Sequence, residues 1–266
     1  MSDFRENIDQ WLRQSEPDYY IFFLKAWLPF NAWYVAELPH LKKSDRDIIK
    51  ELQDNTNSKP RKIIENHLNG ILPESLKFQS HFSELHHNLE KIHLSHNGRR
   101  LSFRTISLTE NPDKFKKFID DNGNLYKVEK TSSYFQAYVQ DKSGKVLLDF
   151  KHPMYSPDSL VKDNDYIRLS SSKMQNKVLD LLREIDPKKP ISLISNSTNK
   201  KEFILLKSEN QCKVISDYTT VAKGCIKILY SLRCMLFHGE VSPISTNKPV
   251  YEHAYYLLRQ IIKELH

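Results

Sequence analysis

Arg233 and His238 stand five residues apart near the C-terminus, within the segment Arg-Cys-Met-Leu-Phe-His. Histidine titrates near neutral pH, so it can move a proton to or from the 2′-OH or the 5′-oxygen of RNA. Arginine stays charged, and its planar fork can hold a phosphate and stabilise the charge of a transition state. Because RNA supplies its own nucleophile, such a pair needs neither a metal nor a cofactor. The spacing alone is equally compatible with a helix-capping histidine and a surface ion pair.

The residues around this pair predict a long helix followed by a sharp stop. Ser216 or Asp217 can cap the helix, which the apolar spacing extends to Phe237, and Gly239 stands where a helix C-cap belongs. The apolar positions are Val221, Ala222, Cys225, Ile228, Leu229, Leu232 and Leu236. On an ideal helix, residues five apart differ by about 140° around the axis and about 7.5 Å along it. We therefore expect the chain to leave helical geometry near His238, so that both side chains can point into one cleft.

The segment Leu232–Glu240, followed by a polar loop and a last helix that opens at Pro249, resembles the HEPN superfamily. The signature of that family is an arginine, four to six residues and a histidine, often written R-N-x-L-F-H-G. The match lies at Arg233, Leu236, Phe237, His238 and Gly239, and it covers about residues 215–265. Cys234 departs from the pattern, because the family usually has Asn, Asp or His there. The aromatic segment 27–34 is similar to HEPN proteins in a less specific way.

The resemblance implies a helical bundle that dimerises, so that two Arg/His pairs form one composite site. It implies metal-independent RNA cleavage that leaves a 2′,3′-cyclic phosphate, with Arg233 and His238 as catalytic residues. We therefore expect an endoribonuclease of the toxin or antiphage type, with RNA, a second copy and an antitoxin or regulatory protein as partners. Some HEPN proteins have lost activity, and Cys234 favours the alternative of an inactive module that binds RNA or nucleotides. A regulatory partner of another protein is a third possibility.

Hydrophobic periodicity predicts a mainly α-helical fold, a HEPN-like bundle with a small antiparallel β insertion. We expect N-terminal bundle helices over 1–96, a β-rich insertion over 97–168 and C-terminal helices with the Arg/His motif over 169–266. We predict a helix over 4–28 that is interrupted near Pro17, a break at Pro29, and helices opened by Ser44, Ser58, Pro73 and Ser170. We also predict strand-like alternation over 101–108, and two strands at 134–139 and 146–150 joined by a turn at 141–145.

The composition indicates a folded protein with a polyanionic partner. The 266 residues are 39% hydrophobic, and the net charge of +7 favours RNA, DNA or an acidic protein. Cys212, Cys225 and Cys234 form no CxxC pair or disulfide framework, so we expect the reducing cytoplasm. The apolar stretch 21–38 is interrupted by charged and polar residues, which predicts core helices and no membrane partner.

Other chemical groups are weaker candidates. Five histidines lie close together in the sequence: His81, His86, His87, His93 and His96. Of these, His86 and His93 could share a metal with Glu90 because of their i, i+4, i+7 spacing, although a solvated helix face explains the same pattern.

The cluster Arg99, Arg100 and Arg104 could hold RNA phosphates or could be an ordinary charged turn. Asn31, in an aromatic run, could line the cleft or make a packing hydrogen bond. The two adjacent tyrosines at positions 255 and 256 could stack on a base or could pack in the core.

Overall fold

The computed structural model describes residues 8, 15–38, 44–96 and 99–265. The chain divides into two compact units, one of Met1–Ile106 with Ser192–His266 and one of Ser107–Ile191. In chain order the elements are α1 (Tyr19–Glu37), α2 (Asp45–Asp54), α3 (Lys59–Asn69), α4 (Pro73–Ile92), β1 (Ser95–His96), β2 (Arg99–Arg100), β3 (Phe115–Ile119), β4 (Leu125–Lys130), β5 (Phe135–Gln140), β6 (Val146–His152), α5 (Pro157–Val161), α6 (Asn164–Ile167), α7 (Ser172–Glu184), β7 (Phe203–Leu205), β8 (Lys213–Ile215), α8 (Tyr218–Phe237), a short 3-10 turn (Ser245–Asn247) and α9 (Lys248–Lys263). The prediction of a mainly α-helical chain with small antiparallel sheets is confirmed.

The first unit is a helical bundle with two short hairpins. Helix α9 packs against α1 and α4, while α8 packs against α2 and α3. The predicted starts at Ser44, Ser58 and Pro73 are confirmed, since these residues cap or open α2, α3 and α4. The HEPN-like arrangement of these helices remains a prediction.

Helix α8 follows from the pattern of its sequence. The Asp217 side chain accepts a hydrogen bond from the backbone N–H of Thr220 at 3.0 Å, which satisfies a free donor of the first turn. Six of the seven predicted apolar positions are buried, and the seventh, Leu236, is only partly buried; the six are Val221, Ala222, Cys225, Ile228, Leu229 and Leu232. Gly224 permits close packing, because a Cβ there would lie 2.1 Å from Leu193 Cδ1.

Helix α1 continues through Pro29, where we predicted a break, so that prediction is wrong. The ring is exposed, so the carbonyl that loses its partner can be hydrated. Burial of Phe23, Trp27, Phe30 and Tyr34 on the opposite face offsets a proline cost of about 3 kcal/mol. Among the described residues, no helix combines the length and apolar character needed to cross a bilayer. Most of the predicted helix before residue 15 lies outside the described residues.

The strand-like pattern over 101–108 is a second wrong prediction. This segment is irregular, and Leu101, Phe103 and Ile106 are buried in the helical unit, where the Phe103 ring centroid lies 4.6 Å from that of Phe82. The returning chain meets it, since the Leu193 N–H donates to the Phe103 carbonyl at 2.8 Å. Leu101, Ser102 and Phe103 are buried in succession and Thr105 is exposed, so the alternation in the sequence does not correspond to two faces of a strand.

The second unit contains the sheet β3-β4-β5-β6, which is antiparallel throughout. The predicted hairpin at 141–145 is confirmed, because the Asp141 N–H donates to the Lys145 carbonyl at 2.9 Å. Val128 and Val139 on the sheet share a core with Val178 of α7. The predicted insertion over 97–168 and the observed unit over 107–191 both contain the sheet but have different bounds. The predicted helix start at Ser170 lies one residue before the observed N-cap of α7, Ser171.

Candidate functional site

The Arg233 side chain points from the last turns of α8 toward the start of α2. Its Nη2 donates to Asp45 Oδ2 at 3.0 Å, and the two side chains are 19% and 34% exposed. The guanidinium carbon lies 4.2 Å from the centre of the Phe237 ring, one turn further along α8. The buried Nε has no hydrogen-bond partner among the described residues. Arg233 is thus oriented by one carboxylate and one aromatic ring, with donors left over.

Aromatic side chains surround this ion pair. The Asn31 amide donates to the Tyr34 hydroxyl, so the packing explanation for Asn31 has a defined partner. Burial raises the pKa of Tyr34, and the nearby Asp45 carboxylate raises it further. Burial and contact with Cys234 raise the pKa of Tyr230. These phenols stay protonated at neutral pH and act as neutral hydrogen-bonding groups.

His238 is the C-cap of α8 and its side chain is exposed. The Gly239 N–H donates to the Leu236 carbonyl at 3.3 Å, and the Glu240 N–H donates to the Met235 carbonyl at 2.9 Å. This pair of bonds is a Schellman motif, which requires the left-handed φ of +66° that Gly239 adopts. The backbone of His238 is therefore fixed, while no described residue makes a hydrogen bond with its imidazole.

The two predicted catalytic side chains have different surroundings within one chain. The His238 N–H still bonds to the Cys234 carbonyl at 2.9 Å, so helical geometry persists through His238. The chain leaves the helix at Gly239. Arg233 faces α2, whereas His238 lies at the exposed end of α8.

A hairpin that sequence reasoning did not connect to the motif lies beside its C-terminal end. His96 Nδ1 and Glu240 Oε2 are 2.6 Å apart, which joins strand β1 to the loop after His238. Arg99 lies directly opposite His96 in the β1–β2 register. A second imidazole is thus tied to the loop that follows His238. The sequence separation of 144 between His96 and Glu240 hid this contact from any local sequence pattern.

The metal alternative finds no support in the described part of the chain. No group of three or more potential metal-ligating side chains comes together there. His93 lies beyond the end of α4 in a left-handed conformation with φ 58°, which is a correction to its placement on the helix. Glu90 instead pairs with Arg100 at 3.0 Å and accepts a hydrogen bond from Ser102.

The tyrosines at 255–256 pack between helices. The hydroxyls of Tyr256 and Tyr19 are 3.3 Å apart, and the ring centroid of Phe22 lies 5.7 Å from that of Tyr255. Core packing is therefore the role that the geometry gives them. The His81 ring stacks on the Tyr256 ring, with 4.5 Å between the two ring centroids.

Comparison of this chain with protein-family models, with curated proteins and with solved structures found no match.

Proposed function

We propose that this protein is a metal-independent RNA endonuclease whose site combines Arg233 and His238 from two chains. The main observation behind this proposal is the exposed His238 imidazole at the end of α8. The Gly239 turn fixes the His238 backbone there, one to two helical turns from Arg233, whose side chain is held by Asp45. The resemblance of this segment to the HEPN signature adds to it. A toxin or antiphage role, regulated by an antitoxin or another protein, is part of the same proposal.

The chemistry follows from the two side chains. The 2′-OH attacks the adjacent phosphorus, the bond to the 5′-oxygen breaks, and a 2′,3′-cyclic phosphate and a 5′-OH result. His238 takes the proton of the 2′-OH or gives a proton to the leaving oxygen. Arg233 uses the donors not directed at Asp45 to stabilise the added charge on the phosphoryl oxygens.

The arrangement within one chain favours a homodimer. Because Arg233 faces α2 while His238 lies at the exposed end of α8, a second copy could supply the complementary group for one phosphate. Phe237, beside the motif, is 58% exposed. Ile21, Leu28 and Val35 recur every seven residues on α1 and are 47%, 67% and 53% exposed. Such an apolar stripe is typical of a helix that packs against another helix.

The test is cleavage of tRNA and total RNA in the presence of EDTA. Removing a general acid–base typically costs about 10²–10⁴-fold in rate, and removing a transition-state donor about 10²–10³-fold. We expect such losses for His238→Ala and Arg233→Ala. His152→Ala and Arg183→Ala, which change a half-buried and an exposed residue of the second unit, should keep wild-type activity. Cleavage that disappears with EDTA, or that survives in His238→Ala, contradicts the proposal.

A mixing experiment tests the sharing of the site. Coexpressed Arg233→Ala and His238→Ala chains form mixed dimers that carry one intact arginine and one intact histidine on different chains. We expect such dimers to recover cleavage that neither variant shows alone. No recovery, with dimers verified by light scattering, contradicts a composite site, and a monomeric wild type contradicts the dimer itself.

A binding module without cleavage is the second candidate, and the position of Cys234 favours it. The Cys234 side chain is buried and contacts Tyr230, so it offers no exposed polar group beside the motif. In this case wild-type protein shifts RNA in a gel or in fluorescence anisotropy and leaves it intact.

A further inference from the structure

A polar cavity of about 410 Å³ lies in the helical unit, apart from the Arg233–His238 segment. Its volume falls in the range of about 300–1,000 Å³ typical of small-molecule sites. The walls come from α4, from Arg104 in the segment after β2, from residues 194–196 before β7, and from the loop between β7 and β8 with the first residue of β8. The lining residues are Ser83, His86, His87, Arg104, Ile194, Ser195, Asn196, Asn210, Gln211, Cys212 and Lys213.

Two cations give the cavity its charge. Arg104 Nη1 donates to Asn196 Oδ1 at 3.3 Å, and its Nε lies 4.0 Å from Glu90 Oε2, a carboxylate shared with Arg100. Lys213 Nζ donates to the Ser197 carbonyl at 3.5 Å and makes no ion pair with a described residue. No carboxylate belongs to the lining. The cavity is therefore complementary to an anion, and the arginine fork suits a phosphate.

The ring of His86 forms part of the cavity wall. His86 is buried, and its Nδ1 lies 4.0 Å from Glu90 Oε1, with no hydrogen-bond partner among the described residues. Burial lowers the pKa of His86 to about 4, so at neutral pH the ring is uncharged and can accept as well as donate. The ring therefore adds no charge to the two cations of the wall.

The cavity wall is held in place before any ligand arrives. Gln211 adopts a left-handed φ of +43°, a backbone conformation that is uncommon for a non-glycine residue. The surrounding loop is tied to α4, because Ser208 Oγ and Ser83 Oγ are 2.8 Å apart and the Asn210 amide donates to Glu84. Burial raises the pKa of Cys212 to about 11, so its thiol stays protonated. Binding, rather than thiolate chemistry, is what these groups can do.

We propose that this cavity binds a free nucleoside monophosphate, with Arg104 and Lys213 on the phosphate and the side chains of Asn196, Asn210 and His86 on the sugar or base. The volume admits one nucleotide. Amide side chains present the paired donor and acceptor that base edges require. This site is separate from the proposed ribonuclease site, so each can fail without the other.

Calorimetric titration of the full chain tests the proposal, with AMP, GMP, CMP, UMP, adenosine, inorganic phosphate and a 5′-phosphorylated RNA hexamer as probes. We expect saturable binding of at least one mononucleotide, with adenosine and phosphate at least tenfold weaker. Arg104→Ala and Lys213→Ala should each weaken binding by about tenfold or more, as expected for a charge-assisted hydrogen bond. Lys201→Ala, an exposed lysine outside the lining, is the matched control.

A second measurement does not depend on variant folding. The imidazole resonances of His86 in the wild-type protein should shift on addition of the bound mononucleotide, and those of His152 in the other unit should not. No mononucleotide binding at millimolar concentration overturns the proposal. Binding of the hexamer alone, or equal weakening by Lys201→Ala, also overturns it, because either result indicates a general polyanion surface.

Discussion

Replacing Asp45 with asparagine should lower the free energy of unfolding by about 1–2 kcal/mol. The carboxylate accepts a 3.0 Å bond from Arg233, and it is the first residue of α2, where negative charge interacts favourably with the helix dipole. Asparagine keeps an oxygen acceptor at the same place. The loss is therefore the difference between a charge-assisted and a neutral hydrogen bond, about 1 kcal/mol, plus a dipole contribution of about 0.3–1 kcal/mol.

Asp47→Asn is the matched control, because Asp47 lies in the same first turn and bonds to Ser44 rather than to Arg233. The two variants lose a similar dipole contribution, so their difference isolates the arginine contact. A double-mutant cycle with Arg233→Met separates the pairwise energy from the other effects of each substitution. We expect a coupling energy of about 1 kcal/mol between positions 45 and 233 and none between positions 47 and 233.

Urea unfolding followed by tryptophan fluorescence measures all of these free energies, provided that the slope against denaturant is unchanged. A coupling energy below about 0.3 kcal/mol would refute the reasoning, because it would place the pair among exposed ion pairs with no measurable effect. Equal losses in Asp45→Asn and Asp47→Asn would do the same, since they would assign the whole effect to the helix dipole.

Three further perturbations have defined outcomes. Gly224→Ala should lower the free energy of unfolding by about 1–3 kcal/mol, because its Cβ would meet Leu193 Cδ1 at 2.1 Å. If overpacking is the cause, Gly224→Ala should cost less in a Leu193→Ala background than in the wild type. Gly239→Ala should cost about 1 kcal/mol through its φ of +66° alone, since no atom lies within 4 Å of the new Cβ, and a cost near zero in chemical unfolding contradicts the helix-stop geometry. Burial and the neighbouring imidazole lower the pKa of His81 to about 4. Between pH 4 and 6.5 the unfolded chain therefore binds more protons at His81 than the folded chain does. The stability that is present above pH 6.5 is lost as the pH falls through this window. His81→Phe, which keeps an aromatic ring against Tyr256, should flatten that loss, and an unchanged slope of stability against pH would assign it to other groups.

Local pattern was sufficient for the elements that carry the motif. The spacing of apolar residues, the cap at Asp217 and the glycine at 239 predicted α8 and its end. The same reasoning failed at Pro29, where aromatic burial on the far side outweighs the proline, and over 101–108, where three consecutive residues are buried in the helical unit. In both places the surroundings decide the backbone.

The partners of the candidate site could not be predicted in this way. Asp45 and Arg233 are 188 residues apart, and nothing in the first turn of α2 distinguishes an acid that pairs with a distant arginine from one that only favours the helix dipole. Likewise the direction of the Arg233 side chain depends on which helix packs beside α8. Sequence therefore identified the chemical groups, and tertiary structure determined which of them meet.

The hydrogen bond from Leu193 to the carbonyl of Phe103 has a consequence for how this chain can vary. It holds the point where the chain leaves the helical unit beside the point where the chain returns to it. The helical unit is therefore continuous in space although it is interrupted in sequence. The entropy of closing such an excursion grows only with the logarithm of its length, about 0.6 kcal/mol for each doubling. A change in the length of residues 107–191 therefore adds little entropic cost to the unit whose helices carry Arg233 and His238.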